Sequence, residues 1–207
     1  NASTQITFTG DVSGTQYNWT NDQPSIGLAA AGTGDITPFN AINNSNSPVT
    51  ATLAVEPVFN GCPGVIKYLQ LVVNPTATIN QPADQTVCNG TSIDSVVFTS
   101  NVSNTVFEWS NNNPSIGLAA NGTGDIPAFN PINNDYTQTT ATISVTPVIN
   151  GCPGNPVSFN ITVLPRANVV QPLNTFLCNG QMSPVILFDG PITNTTFTWS
   201  NDNTAIG

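Results

Sequence analysis

Few residues in this 207-residue chain could do chemistry: four cysteines, eleven carboxylates, two cations and no histidine. Without histidine the commonest general base is missing, which excludes Ser-His-Asp triads, Cys-His pairs and histidine-ligated metal sites within the sequence. Two carboxylates would be enough to hydrolyse a glycoside. Asp35 and Asp125, however, stand alone in equivalent loops of a repeat. We therefore expect no catalytic residue and no enzymatic activity.

Calcium is the metal that the remaining carboxylates would suit. Four aspartates occupy loops rich in glycine and asparagine, which offer oxygen ligands: Asp22, Asp35, Asp125 and Asp202. The spacing matches neither an EF-hand nor an Asp-x-Asp motif. Aspartate also caps turns through nearby backbone N–H groups. The sequence favours capping, so we expect no cofactor and no metal, with calcium in these loops as the alternative.

The charge balance excludes two classes of partner. Lys67 and Arg166 are the only cations, and the formal net charge is −9 with a pI near 4.1. Nucleic-acid binding depends on cations that neutralise phosphates, and docking on anionic lipid has the same requirement. No stretch approaches the roughly 18 apolar residues of a membrane span. We expect neither nucleic-acid binding nor membrane insertion.

Almost every landmark of the chain recurs after 90 residues. Trp19 returns as Trp109 and Trp199, and Pro24–Ala30 returns unchanged as Pro114–Ala120. A unit of this length is a self-contained domain rather than a solenoid repeat. We predict three modules, spanning residues 1–75, 76–165 and 166–207, below called the first, second and third modules. The first lacks its beginning and the third its end, so we expect the chain to be part of a longer array.

The pattern within one module predicts an all-β fold. Thr140–Val148 and Val157–Val163 alternate apolar and polar residues around Asn150–Gly154, a strong turn signal. These features predict the closing hairpin of a module with about seven strands, and no sustained helical period is present. Phe107 and Trp109 share a face of the third strand. We therefore predict immunoglobulin-like β-sandwiches arranged end to end, with the three tryptophans in their cores.

Several motifs carry a resemblance to a known family. They are Cys88-Asn-Gly, Phe107-x-Trp-Ser-Asn, Ile116-Gly-Leu-Ala-Ala, Gly122-Thr-Gly-Asp-Ile and Asn150-Gly-Cys-Pro-Gly. This string resembles the PKD-like (polycystic-kidney-disease-like) immunoglobulin-fold repeats of giant Bacteroidetes cell-surface proteins. These include gliding-motility adhesins exported by type IX secretion. The resemblance implies an extracellular, outer-membrane-attached location, with the secretion or motility machinery as a partner.

The four cysteines occupy equivalent sites of the repeat, and in a secreted protein this pattern favours disulfides. Our prediction is a bond between Cys88 and Cys152 within one module, which leaves Cys62 and Cys178 to pair outside this sequence. Bonds Cys62–Cys88 and Cys152–Cys178 between modules are the alternative, and free thiols are a third. The first turn and the last hairpin of an immunoglobulin topology lie at opposite poles, which counts against the first pairing.

These features predict a structural role. We expect a stalk segment of a repetitive cell-surface adhesin, which supplies length and rigidity for attachment or gliding motility. Its partners would be the neighbouring modules, with any surface or polysaccharide bound by regions outside this sequence. One alternative is an array of polysaccharide-binding modules, with Trp19, Trp109 and Trp199 as sugar platforms rather than core residues. The other is a spacer in a secreted multidomain enzyme.

Overall fold

The computed structural model describes residues 5–206; residues 1–4 and 207, at the outer ends of the first and third modules, lie outside that range. Eleven strands are present in these residues. They are β1 Gln16–Asn21, β2 Ala31–Thr33, β3 Val49–Phe59, β4 Cys62–Pro63, β5 Lys67–Val73, β6 Gln85–Cys88, β7 Val106–Asn111, β8 Asn121–Thr123, β9 Thr139–Ile149, β10 Cys152–Pro153 and β11 Val157–Leu164.

The first sheet contains β1 to β5. β1 lies between β2 and β3, antiparallel to both, and β3 pairs with β4 and β5 on its other side. The hairpin from β3 to β4 turns at Asn60 and Gly61, both with positive φ. An Asn-Gly pair of this kind is preferred because its twist matches the twist of the strands. The predicted pairing of Thr140–Val148 with Val157–Val163 is confirmed, because β9 pairs with β11 and, in the first sheet, β3 pairs with β5.

The second sheet has the same strands one repeat later and one strand more. β7, β8, β9, β10 and β11 correspond to β1 to β5. The additional strand β6 pairs in parallel with β11, with Gln85 opposite Ile161 and Cys88 opposite Leu164. The outer edge of β11 is therefore covered.

Extended segments joined by isolated β-bridges pack over each sheet. They form the second layer of a two-layered sandwich. Ile6 bridges Ile36 in the first module, and Val96 bridges Ile126 in the second. The layers enclose a core of buried side chains: Trp19, Ile26, Leu28, Ile36, Ala51, Leu53 and Val55. In β9 the alternating residues Ala141, Ile143 and Val145 are fully buried. The predicted all-β, immunoglobulin-like sandwich class is confirmed.

The connection after the tryptophan strand contains one helical turn and one short strand. A single 3-10 turn, Pro24–Ile26 or Pro114–Ile116, precedes the Gly-Leu-Ala-Ala segment. Gly27 ends the first of these turns at φ 92°, where a side chain would also collide with the Asn40 carbonyl. The short strand begins directly after that segment, at Ala31 in the first module and at Asn121 in the second.

The third module departs from the prediction for Trp199. No strand occurs between residues 165 and 206, and Trp199 is 74% exposed, whereas Trp19 and Trp109 are each 7% exposed. The core prediction is right for the first two tryptophans and wrong for Trp199. The reason is packing: Trp19 lies opposite Val55 of β3, and the counterpart of β3 for Trp199 would fall after residue 207.

The chain folds into two compact units. The first takes in the chain up to Gln81 with Phe98–Trp109 and Val145–Val157. The second takes in Pro82–Val97, Ser110–Ser144 and the chain from Ser158 onwards. The module boundaries at residues 75 and 165 stay a prediction. Within residues 5–206 no helix has the length and apolarity needed to cross a bilayer.

Candidate functional site

Polar side chains near the tryptophans are engaged in hydrogen bonds that recur from one module to the next. Asn21 is buried, and its amide nitrogen donates to the carbonyl oxygens of Leu28 and Ala29 at 3.1 and 3.3 Å. Asn111 repeats this arrangement with Leu118 and Ala119. A buried amide left without partners would be costly. These asparagines therefore fix the turn after the tryptophan strand.

The predicted turn capping by Asp35 and Asp125 stays a prediction, because the hydrogen bonds that Asp22 and Asp35 accept come from residues distant in sequence. Asp22 accepts a hydrogen bond from the backbone N–H of Thr52 at 2.7 Å. Its counterpart in the second module is the uncharged Asn112, which accepts from Thr142 at 2.8 Å. The position therefore requires an acceptor oxygen but not a charge.

Asp35 makes a similar link, to residues that precede it by 27 and 30 positions in the sequence. One carboxylate oxygen accepts from the backbone N–H of Phe8 at 2.9 Å, and the other from the Gln5 amide at 3.4 Å. In the described part of the chain, no three of the Cys, Asp and Glu side chains are grouped as metal ligands. Asp22 and Asp35 thus accept hydrogen bonds that link segments about 30 residues apart in sequence.

The cysteines do not form the predicted bond. Cys62, Cys88, Cys152 and Cys178 are all free and exposed. Cys88 stands in register with Leu164, the last residue of β11, while Cys152 precedes Val157, the first residue of that strand. An eight-residue strand spans about 26 Å, and a disulfide needs Cα atoms within roughly 7 Å. Neither the Cys88–Cys152 bond nor the alternative pairs are formed in this structure, and the pairing stays a prediction.

The most distinctive surface is the outer edge of β5, which we call the β5 edge. In the second module β6 covers the equivalent edge of β11, and Phe159, Ile161 and Val163 are 1, 0 and 0% exposed. In the first module β5 pairs with β3, and no strand among residues 5–206 pairs with its outer edge. The equivalent residues Leu69, Leu71 and Val73 are accordingly only half-buried.

Two grooves accompany the β5 edge. One has a volume of about 330 Å³ and apolar walls formed by Ile6, Phe39, Ala41, Leu69, Leu71, Val72 and Val73. The other measures about 710 Å³ and continues along Thr7–Val12 to Val65, Lys67 and Tyr68. In the second module, chain segments occupy both places. β6 lies beside Ile161–Leu164, and Thr78 and Asn80 bond to Asn101 and Thr99.

The segments that fill these places in the second module indicate what the grooves can bind. Their chemistry is that of backbone pairing plus apolar side-chain contact. Sequence reasoning did not find this surface.

No protein-family model and no curated protein sequence matches the chain. Among solved structures it is similar to the crystal structure of DIP-gamma IG1+IG2, with 8% identity and a TM-score of 0.36. The match covers 74% of this chain and 84% of that chain. At this level of similarity the fold assignment rests on the strand order and register described above.

Proposed function

We propose that the chain is a stalk segment of a large repetitive cell-surface adhesin, in which the modules supply length and rigidity. The observation that carries the proposal is the use of the polar side chains. Asn21 and Asn111 hold equivalent turns, and Asp22 and Asn112 hold equivalent strands. Residues that could have formed a site serve the repeated scaffold instead.

The proposed export route, cell-surface attachment and role in gliding rest on the resemblance of sequence motifs. Cys-Asn-Gly, Phe-x-Trp-Ser-Asn and Asn-Gly-Cys-Pro-Gly resemble PKD-like repeats of Bacteroidetes surface proteins. On that basis we propose export by type IX secretion, outer-membrane attachment and a role in adhesion or gliding. Neighbouring modules and the motility machinery would be the partners.

Polysaccharide binding receives less support as a function of the repeats. Tyr68 is 72% exposed beside the larger groove, which is the kind of side chain that stacks on sugars. Its counterpart in the second module is Ser158, however, and the equivalent groove there is occupied by Thr78 and Asn80. A site of this kind would not be repeated along an array.

Deletion of one module in the producing cells tests the stalk proposal. Removal of residues 76–165 in frame joins equivalent positions of two modules and leaves the repeat phase intact. We expect cells that display the shortened protein at normal levels to attach to surfaces as before, or with a modest loss through reduced reach. Loss of attachment at normal display would place the binding site within the module and contradict the proposal.

A further inference from the structure

Residues 74–80, which we call the linker, leave the first sheet and pack against the near end of the second module. Ala77 is fully buried and forms an apolar cluster with Val102 and Ile149, which are 5 and 6% exposed. A Cβ atom added at Gly154 would collide with the carbonyl oxygen of Ala77. All of these residues belong to the first compact unit. A flexible linker is solvated along its length, whereas this one is packed into a small core.

Asn101 bonds to both sides of this contact. Its side-chain oxygen accepts hydrogen bonds from the backbone N–H and the hydroxyl of Thr78, at 2.9 and 2.8 Å. Its amide nitrogen donates to the side-chain oxygen of Asn46, in a loop of the first module, at 2.9 Å. Asn80 extends the contact, since it donates to the carbonyl and hydroxyl oxygens of Thr99. Asn101 therefore connects a loop of the first module, the linker and a loop of the second module.

A second pair of asparagines joins the linker to the hairpin between β9 and β10. The amide of Asn150 donates to the side-chain oxygen of Asn74 at 3.2 Å, and the amide nitrogen of Asn74 lies 3.9 Å from the sulfur of Cys152. Asn74 precedes Ala77 in the linker and Thr78 follows it. The linker is therefore held on both sides of its buried residue, which opposes the rotation that a single contact would allow.

The bond between Asn46 and Asn101 is specific to this junction. One repeat later, Tyr136 stands at the position of Asn46 and Pro191 at the position of Asn101. The side chain of proline has neither a donor nor an acceptor, so the same connection cannot form there. We propose that the contacts of the linker form a fixed joint between the first and second modules, with Asn101 as the positioning residue that locks it. Neighbouring modules are then matched partners rather than interchangeable units.

The joint deepens the proposed stalk function, because a stalk needs neighbouring modules that do not bend freely. Domains joined by a small interface move relative to each other by default, so a fixed joint is a specific claim. It is measured on the purified chain, whereas the stalk function is measured by attachment of cells. A stalk with mobile joints and a fixed joint without a stalk function would therefore be separate results.

The width of a distance distribution between two spin labels measures how fixed the joint is. The labels are placed by Asn18→Cys on β1 and Glu108→Cys on β7, which are exposed and equivalent positions, with the four native cysteines changed to serine. Electron–electron double resonance then gives the distribution. A fixed joint should give one narrow peak, and a broad distribution in the chain without further changes would overturn the proposal.

Two glycine variants test the packing of the linker. Gly154→Ala should push the linker out of its place and broaden the distribution, because the added carbon collides with Ala77. Gly64→Ala is the matched control. At both positions the added carbon lies 3.0 Å from a proline ring, that of Pro147 or Pro57, and only at Gly154 does it also collide with Ala77. A distribution that is equally narrow in both variants would overturn the proposal.

Variants of the asparagine pair test the lock. Asn101→Ala removes the bonds to Thr78 and Asn46 and should broaden the distribution. Asn46→Asp keeps an acceptor for the amide of Asn101 and should leave it narrow. Circular dichroism checks that both variants are folded. A narrow distribution in folded Asn101→Ala would show that this residue is not the lock and would overturn the proposal.

A cross-link gives a second readout, which stays valid if Gly154→Ala fails to fold. Asn74→Cys, with Cys62, Cys88 and Cys178 changed to serine, places a thiol beside Cys152. The two thiols should close to an intramolecular disulfide, and equilibrium with reduced and oxidised glutathione measures their effective concentration. Gly154→Ala should lower that concentration about tenfold, through overpacking, and Gly64→Ala should not. Absence of the cross-link in the folded Asn74→Cys chain, or an effective concentration that a folded Gly154→Ala variant leaves unchanged, would overturn the proposal.

Discussion

At the scale of single residues, Trp19 on β1 and Trp109 on β7 are the main apolar anchors of the cores of the first and second modules. Trp109 is 7% exposed, so Trp109→Ala should lower the free energy of unfolding by about 3–5 kcal/mol, the range for large core aromatics. Trp199→Ala is the matched control, since Trp199 is 74% exposed and its loss should change stability little. Urea unfolding of both variants measures the difference. Equal stability of the two would contradict the burial of Trp109.

Gly32 explains why the motif after the tryptophan contains glycine. A Cβ atom at this position would collide with the Trp19 ring, and the indole N–H of Trp19 donates to the carbonyl of Gly34 at 3.2 Å. Gly32→Ala should therefore cost about 1–3 kcal/mol through overpacking. The same change in a Trp19→Phe background should cost less, because the smaller ring leaves room. A double-mutant cycle followed by urea unfolding measures this coupling, and additive effects would argue against the contact.

The role of Asp22 distinguishes a hydrogen-bond cap from a calcium ligand. Asp22→Asn should leave stability nearly unchanged because Asn112 already performs the same task, whereas Asp22→Ala should cost about 0.5–1 kcal/mol. Thermal melting with calcium and with EDTA is the measurement. A melting temperature that rises with calcium in the unmodified chain and not in Asp22→Asn would show that the loop binds the ion.

Contacts between residues close in sequence could be predicted from the sequence, whereas contacts between distant segments could not. The alternation of apolar and polar residues in β9 predicts its buried face, and so does the two-residue spacing of Phe107 and Trp109. Both follow from the strand alone, because alternate side chains of a strand point to the same face. The partners of Asp22 and Asp35 lie about 30 residues away in sequence. Their identity depends on how the strands pack, which no local pattern contains.

At the scale of strands, the reactivity of the four thiol groups tests where the cysteines lie in the sheets. All four are exposed and free, so all four should react with a thiol reagent without denaturant. A reducing agent should leave the melting temperature unchanged. Peptide mapping under non-reducing conditions is the check. A Cys88–Cys152 peptide would show that β6 and β11 are paired differently from the register found here.

The β5 edge and the third module also mark a limit of sequence reasoning. The sequence of Thr175–Cys178 has the pattern of β6 yet forms no strand here, while Gln85–Cys88 does. The difference lies in the availability of a partner, since β11 is present beside Gln85–Cys88. Strand formation needs a neighbour, so a repeat pattern predicts which segments are able to pair and not which ones are paired.

At the scale of the whole molecule, the stalk proposal requires modules that follow one another without folding back. Proline follows the last strand of each sheet, at Pro75 and Pro165, and proline stiffens a connection between domains. A strand of about ten residues spans roughly 33 Å, so each added module should extend the particle by about 35–45 Å. Small-angle scattering on chains of two, three and four modules measures the growth of the maximum dimension. Growth well below about 30 Å per module would mean that modules pack side by side, and a compact assembly of this kind would favour a binding function over a stalk.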